Sequence, residues 1–143
     1  GVEFIDGYQW LRNPDEVPGL DAGDPLVAAS EALDLNQADL ALAQRPTGDR
    51  LRVVALPLGL HPSLLSHLER VIWTDGAQDV LERRLRGEFF TLGGPRKCEW
   101  VRDQIWPLEA ALVRAFPPAL LAHLTVDLSN ALKPLVALAP GPG

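Results

Sequence analysis

The sequence predicts an α+β fold, with N-terminal strands and a β-hairpin followed by a mainly helical C-terminal two-thirds. Three observations carry this. Short aromatic and aliphatic runs fill the first third, separated by Pro- and Gly-rich breaks. After Pro62, apolar residues recur every three or four positions, the helical period. The two kinds of segment are segregated along the chain, whereas βαβ units would alternate. A length of 143 residues suits one domain, expected over 1–138 with 139–143 as a flexible Pro/Gly tail.

Glu3–Arg12 is aromatic and β-prone, with a turn predicted at Asp6-Gly7. Asn13–Asp24 holds two Pro and two Gly and reads as loop. Asp24-Pro25 is a helix start, an Asp cap with Pro at the first helical position, leading into residues 26–35. Residues 38–58 are expected to form a hairpin, with a turn near 45–50 and Leu51–Leu58 as the second strand. A helix over Ala38–Gln44 competes with it, because Ala, Leu and Gln favour helix.

In the second part, Ser63 is placed to cap a helix with Leu64, Leu68, Val71 and Ile72 on one face. Thr74-Asp75 is expected to open another, with Val80, Leu81 and Leu85 inward and Gly87 closing it. Glu88–Leu92 reads as a short strand or extended connector, broken by Gly93-Gly94-Pro95. Cys98, Val101, Ile105, Leu108, Leu112, Ala115 and Phe116 then make one continuous stripe, which predicts a single helix kinked near Asp103–Pro107. Its first residue, Cys98, is predicted to be a buried thiol. After Pro117-Pro118 a last helix is expected, with Leu121, Leu124, Leu128, Ala131 and Leu135 on one face.

The formal net charge is −6, and residues 1–50 carry ten acids against Arg12, Arg45 and Arg50. No apolar run approaches the ~20 residues of a membrane-spanning helix. A single Cys makes no internal disulfide, so a cytoplasmic setting is expected. Methionine is absent even at position 1, so Gly1 reads as a processed end or the start of a piece of a longer protein.

Catalytic motifs are missing. His61 and His67 are six apart and Cys98 has no second Cys, so neither a metal nor a cofactor is expected. His123 and Asp127 have the i,i+4 spacing of a general-base pair, which is also ordinary on a solvated helix face. Ser63, Ser66 and Ser129 stand in no Gly-x-Ser-x-Gly context, and Gly93-Gly94 lacks a phosphate-cradling pattern. Asp75, Asp79 and Glu82 would share one helix face, as helix electrostatics favours near an N-terminus.

One segment stands out. Residues 82–102 gather Arg83, Arg84, Arg86, Arg96, Lys97 and Arg102 against Glu82, Glu88 and Glu99, with Phe89, Phe90 and Trp100 between them. Arg and Trp are the residues most enriched at interface hot spots, and arginine takes carboxylates bidentately. The expected function is therefore a non-enzymatic protein–protein interaction domain, an adaptor, chaperone-like or scaffolding part of a larger assembly. Its binding residues would be Arg83, Arg84, Arg86, Arg96, Lys97, Trp100 and Trp106, and an acidic segment would suit them. Two other readings stay open: a nucleic-acid-binding module using segment 83–102, and a small enzyme that assembles His61, His67, Asp75 or His123 only in the fold.

Overall fold

The computed structural model describes residues 1–17, 19–20, 23–76, 94–130 and 135–138. The chain is α+β, with N-terminal strands, then helices, then further strands. In order come β1 (Val2–Asp6), a 3-10 turn (Gly7–Trp10), α1 (Pro25–Ala32), α2 (Leu35–Ala43), β2 (Leu51–Ala55), α3 (Pro62–Leu65) and β3 (Ile72–Asp75). A long helix follows in three parts, α4 (Pro95–Trp100), a π-helical turn (Val101–Ile105) and α5 (Trp106–Ala115). It is succeeded by α6 (Pro118–Leu121), β4 (Leu124–Asp127) and β5 (Leu135–Leu138).

The predicted turn after β1 forms as expected. Asp6 accepts from the Tyr8 amide at 3.0 Å, and Gly7 is required because a Cβ there would collide with the Ala55 carbonyl. Asp24 caps α1, accepting from Leu26 N at 2.9 Å with Pro25 at the first helical position.

The expected hairpin over 38–58 does not form. Asp34 supplies a cap at 3.1 Å from the Gln37 amide, and Leu35–Ala43, rich in Ala and Leu, takes the competing helical state as α2. Strand β2 then pairs in parallel with β1, Val2 opposite Leu51 and Phe4 opposite Val53. α1 and α2 lie in the crossover between them.

Two predicted helices are also corrected. The helix begun near Ser63 stops at Leu65, and its cap is His61, whose Nδ1 accepts from the Ser63 amide at 3.1 Å. The chain then extends into β3, where Ile72, Trp73 and Thr74 have strand propensity. Likewise the last predicted helix shrinks to α6, and Leu124-Thr125-Val126 becomes β4, parallel to β3 and antiparallel to β5. Pairing between strands some fifty residues apart overrides a local spacing that had looked helical. Thr74 and Asp75 thus lie in a strand; residues 77–87 of the predicted helix, and Glu88–Leu92, are outside the described residues.

The stripe from Cys98 holds. Cys98, Val101, Ile105, Leu108 and Leu112 are all buried, whereas Ala115 turns outward as Phe116 leaves the helix. The helix runs unbroken across Pro107. Trp106 N–H donates to Val101 O, five residues back, so the widened π turn sits just before the proline that lacks a donor. Around this helix pack Trp10, Leu11, Leu33, Leu58, Leu60 and Leu64, with Ala28, Ala29 and Ala32 on α1 small enough for α1 to lie against α5.

Candidate interaction surface

The two faces of the β1–β2 pair differ sharply. On the inner face Ile5 and Val54 pack against the core, and Arg52 reaches Glu3 at 3.4 Å. The Arg52 guanidinium also donates to the carbonyls of Ala41 (3.2 Å) and Gln44, tying β2 to the end of α2. The outer face carries Val2, Phe4, Leu51 and Val53, exposed by 68%, 65%, 63% and 43%. The register sets these four as two cross-strand pairs, so they form one patch with no charge inside it.

The edge of β1 belongs to the same residues. Leu51 N–H donates to Gly1 O at 3.1 Å, and this phase turns the backbone of Glu3 and Ile5 toward β2. Val2 and Phe4 therefore direct their N–H and C=O groups away from β2, along the open edge. Parallel sheets are normally covered on both faces, and a two-stranded sheet is marginal alone. No hydrophobic period in the sequence marked this patch, because it arises from pairing two strands whose partner residues are 49 apart in the chain.

The arginine-rich segment is only partly in view. Arg83, Arg84 and Arg86, together with Phe89 and Phe90, lie outside the described residues. Arg96 is exposed and paired with Asp15 at 2.5 Å, both side chains being at least 70% exposed. Lys97 is half-buried with Nζ 3.4 Å from Leu11 O, and Arg102 engages Asp103 at 2.8 and 3.2 Å. Trp100 is buried at 9% exposure and Trp106 packs against the core, so the two indoles widen the buried face of the helix. Arg96, Trp100 and Gln104, one helical turn apart in succession, line a cleft against Pro14, Asp15 and Leu20.

The histidines do not converge on one point. His67 Nε2 lies 3.0 Å from Asp39 Oδ1, and His61 Nε2 lies 3.0 Å from Ser30 Oγ. Because His61 Nδ1 accepts from Ser63, its proton resides on Nε2 and points at Ser30. The Ser30 hydroxyl in turn donates to Leu26 O at 2.8 Å. Serine and imidazole thus stand in the order opposite to a nucleophile and its base. Burial pushes the His61 pKa below the ordinary imidazole value, with Asp39 partly opposing.

His123 Nδ1 accepts from Val71 N at 3.0 Å, and Asp127 is on β4, its carboxylate held down in pKa by Ser129. His123 and Asp127 are therefore not one helix-face pair. Asp75 sits opposite Asp127 in the β3–β4 register, while Asp79 and Glu82 lie outside the described residues.

Glu109, which sequence reasoning passed over, is a half-buried carboxylate. It accepts from the Leu58 amide, and burial raises its pKa while that hydrogen bond opposes. Leu58 adopts a left-handed φ of 55°, the only non-glycine to do so among the described residues. Among the same residues no three His, Cys, Asp or Glu side chains gather as metal ligands would, and no helix is long and apolar enough to cross a membrane. Comparison with family models, curated proteins and solved structures gives no match to this chain.

Proposed function

We propose that this chain is a protein–protein interaction domain, a non-enzymatic adaptor or scaffolding part of a larger assembly. The observation that supports this reading is the outer face of β1–β2, where Val2, Phe4, Leu51 and Val53 stand exposed beside an open strand edge. At these exposures the four side chains offer on the order of 400 Å² of apolar surface, the size at which patches mark contact sites. Covering it yields roughly 10 kcal/mol gross. Association costs about 4–15 kcal/mol. The apolar face alone therefore comes near break-even, and the backbone groups of Val2 and Phe4 have to contribute.

That requirement defines the partner. An extended segment with apolar residues at alternate positions would add to β1, taking its hydrogen bonds from the edge and its contacts from the face. The Arg96 cleft offers an acidic partner residue a second anchor, provided it displaces Asp15. The described cations Arg96, Lys97 and Arg102 each engage a group of this chain, which favours the protein partner over nucleic acid.

The test is affinity capture from the native source with the intact chain and with Phe4→Lys/Val53→Lys. Both positions are exposed, so the fold should hold, which a circular dichroism spectrum and a melting curve verify. Proteins retained by the parent and lost by the double variant support the reading. An unchanged set of captured proteins with an intact fold would sink it.

A further inference from the structure

We infer that β5 is the self-association edge of this chain, pairing antiparallel with β5 of a second copy about a two-fold axis at Ala137. The inference goes beyond the proposed function and rests on a different sheet. Four of the five described strands carry charge: Glu3 and Asp6 in β1, Arg52 in β2, Asp75 in β3 and Asp127 in β4. β5, Leu-Val-Ala-Leu, has none, and all four of its residues are exposed. Strands that lie in the middle of a sheet read this way, whereas edge strands are protected by charge, proline, a bulge or a cover. In composition β5 is a central strand, and in the β3–β4–β5 order it stands at the edge.

The hydrogen-bond phase says which groups are open. Leu124 N donates to Val71 O at 3.4 Å and Leu128 N to Asp75 O at 2.6 Å, so the even-numbered residues of β4 bond to β3. Thr125 and Asp127 then bond to their partners Ala137 and Leu135 in β5. Val136 and Leu138 are left with their N–H and C=O groups directed outward. Their side chains, 64% and 84% exposed, share a face with Ile72, Leu124 and Val126, and no charged residue occupies those rows.

A second β5 satisfies all of these groups at once. Centred on Ala137, the antiparallel register sets Val136 of one copy opposite Leu138 of the other. Four N–H···O bonds form, and the aliphatic face continues across the axis. The strand has no charge that would oppose its own image. Its four residues bury far less than the ~1,200 Å² of a stable interface, so the dimer is weak and concentration-dependent. Each copy carries net −6, so added salt strengthens the pairing by screening.

Two experiments on the full chain test this. In sedimentation equilibrium over about a hundredfold range of concentration, the parent moves from monomer to dimer and stops there. Val136→Pro weakens the dimer by about tenfold or more, because the ring deletes an outward donor in each copy. Proline is tolerated on an edge strand, so the melting curve of the monomer is retained. If that variant does not fold, Ala137→Cys carries the test. Residues opposite each other in a non-hydrogen-bonded pair sit about 4.5 Å apart at Cα, within reach of a disulfide. Mild oxidation of Ala137→Cys should give a covalent dimer, while Leu135→Cys, out of register with its own copy, should not. A parent that stays monomeric throughout, one that grows beyond a dimer, or equal cross-linking at both positions would overturn the inference.

Discussion

Replacing His61 tests how the centre of the molecule is wired. The ring is 7% exposed, caps α3 through Nδ1 and meets Ser30 through Nε2. His61→Ala removes the cap, worth about 1 kcal/mol, and a buried ring; a total near 2–3 kcal/mol is expected. His61→Asn keeps an N-cap acceptor but does not reach Ser30, so it should lose about 1 kcal/mol less than the alanine variant.

Acidification is the sharper perturbation. Burial holds the folded His61 pKa below 6.5, so as pH falls through that value the unfolded chain gains a proton the folded chain refuses. Stability contributed by the neutral ring is therefore present above pH 6.5 and declines below it, by at most about 1.4 kcal/mol per pH unit. Protonation would also set two donors, Nδ1–H and the Ser63 amide, against each other. Asp39, the nearby carboxylate on α2, moderates the decline. Urea unfolding near pH 8 and near pH 5.5 measures it. The parent should lose stability between the two, and His61→Asn should lose distinctly less. Equal losses in both proteins, or a parent more stable at the lower pH, would refute the assignment of a neutral capping imidazole.

Two further outcomes concern Glu109 and Cys98. Glu109 keeps its proton to higher pH in the folded chain than in the unfolded one, so stability should decline as pH rises from 4.5 toward the folded value. Glu109→Gln preserves the acceptor for Leu58 and should flatten that decline in unfolding titrations, whereas Glu109→Ala strands the Leu58 amide at a cost of about 1–3 kcal/mol. Cys98, 8% exposed at the start of the long helix, should react slowly with a thiol reagent until the protein is unfolded; rapid labelling of the native chain would contradict its place in the core.

The elements legible in the sequence are those fixed by local chemistry. Asp24-Pro25 announced α1 through a cap and a proline that needs no donor. The stripe from Cys98 announced the long helix even across Pro107, although the π turn that admits the proline carries no signal of its own. What failed was non-local. Leu121, Leu124 and Leu128 have helical spacing, but β4 earns its state by lying between β3 and β5. Ala38–Gln44 could have been strand or helix, and the cap at Asp34 decided it. The candidate site was hidden for the same reason. Val2, Phe4, Leu51 and Val53 make a patch only once β1 and β2 are side by side, whereas Trp100 stood out in the sequence and is spent on the core.

The central claim is that partner binding rests on the apolar face of β1–β2. The most direct measurement is calorimetric titration of a captured partner into the intact chain, repeated at several temperatures and salt concentrations. Burial of Val2, Phe4, Leu51 and Val53 predicts a negative heat-capacity change that Phe4→Lys/Val53→Lys abolishes along with binding, and an affinity nearly independent of salt. A heat-capacity change near zero, with affinity that falls steeply as salt is added and survives the double variant, would contradict the claim and return the contact to the arginines.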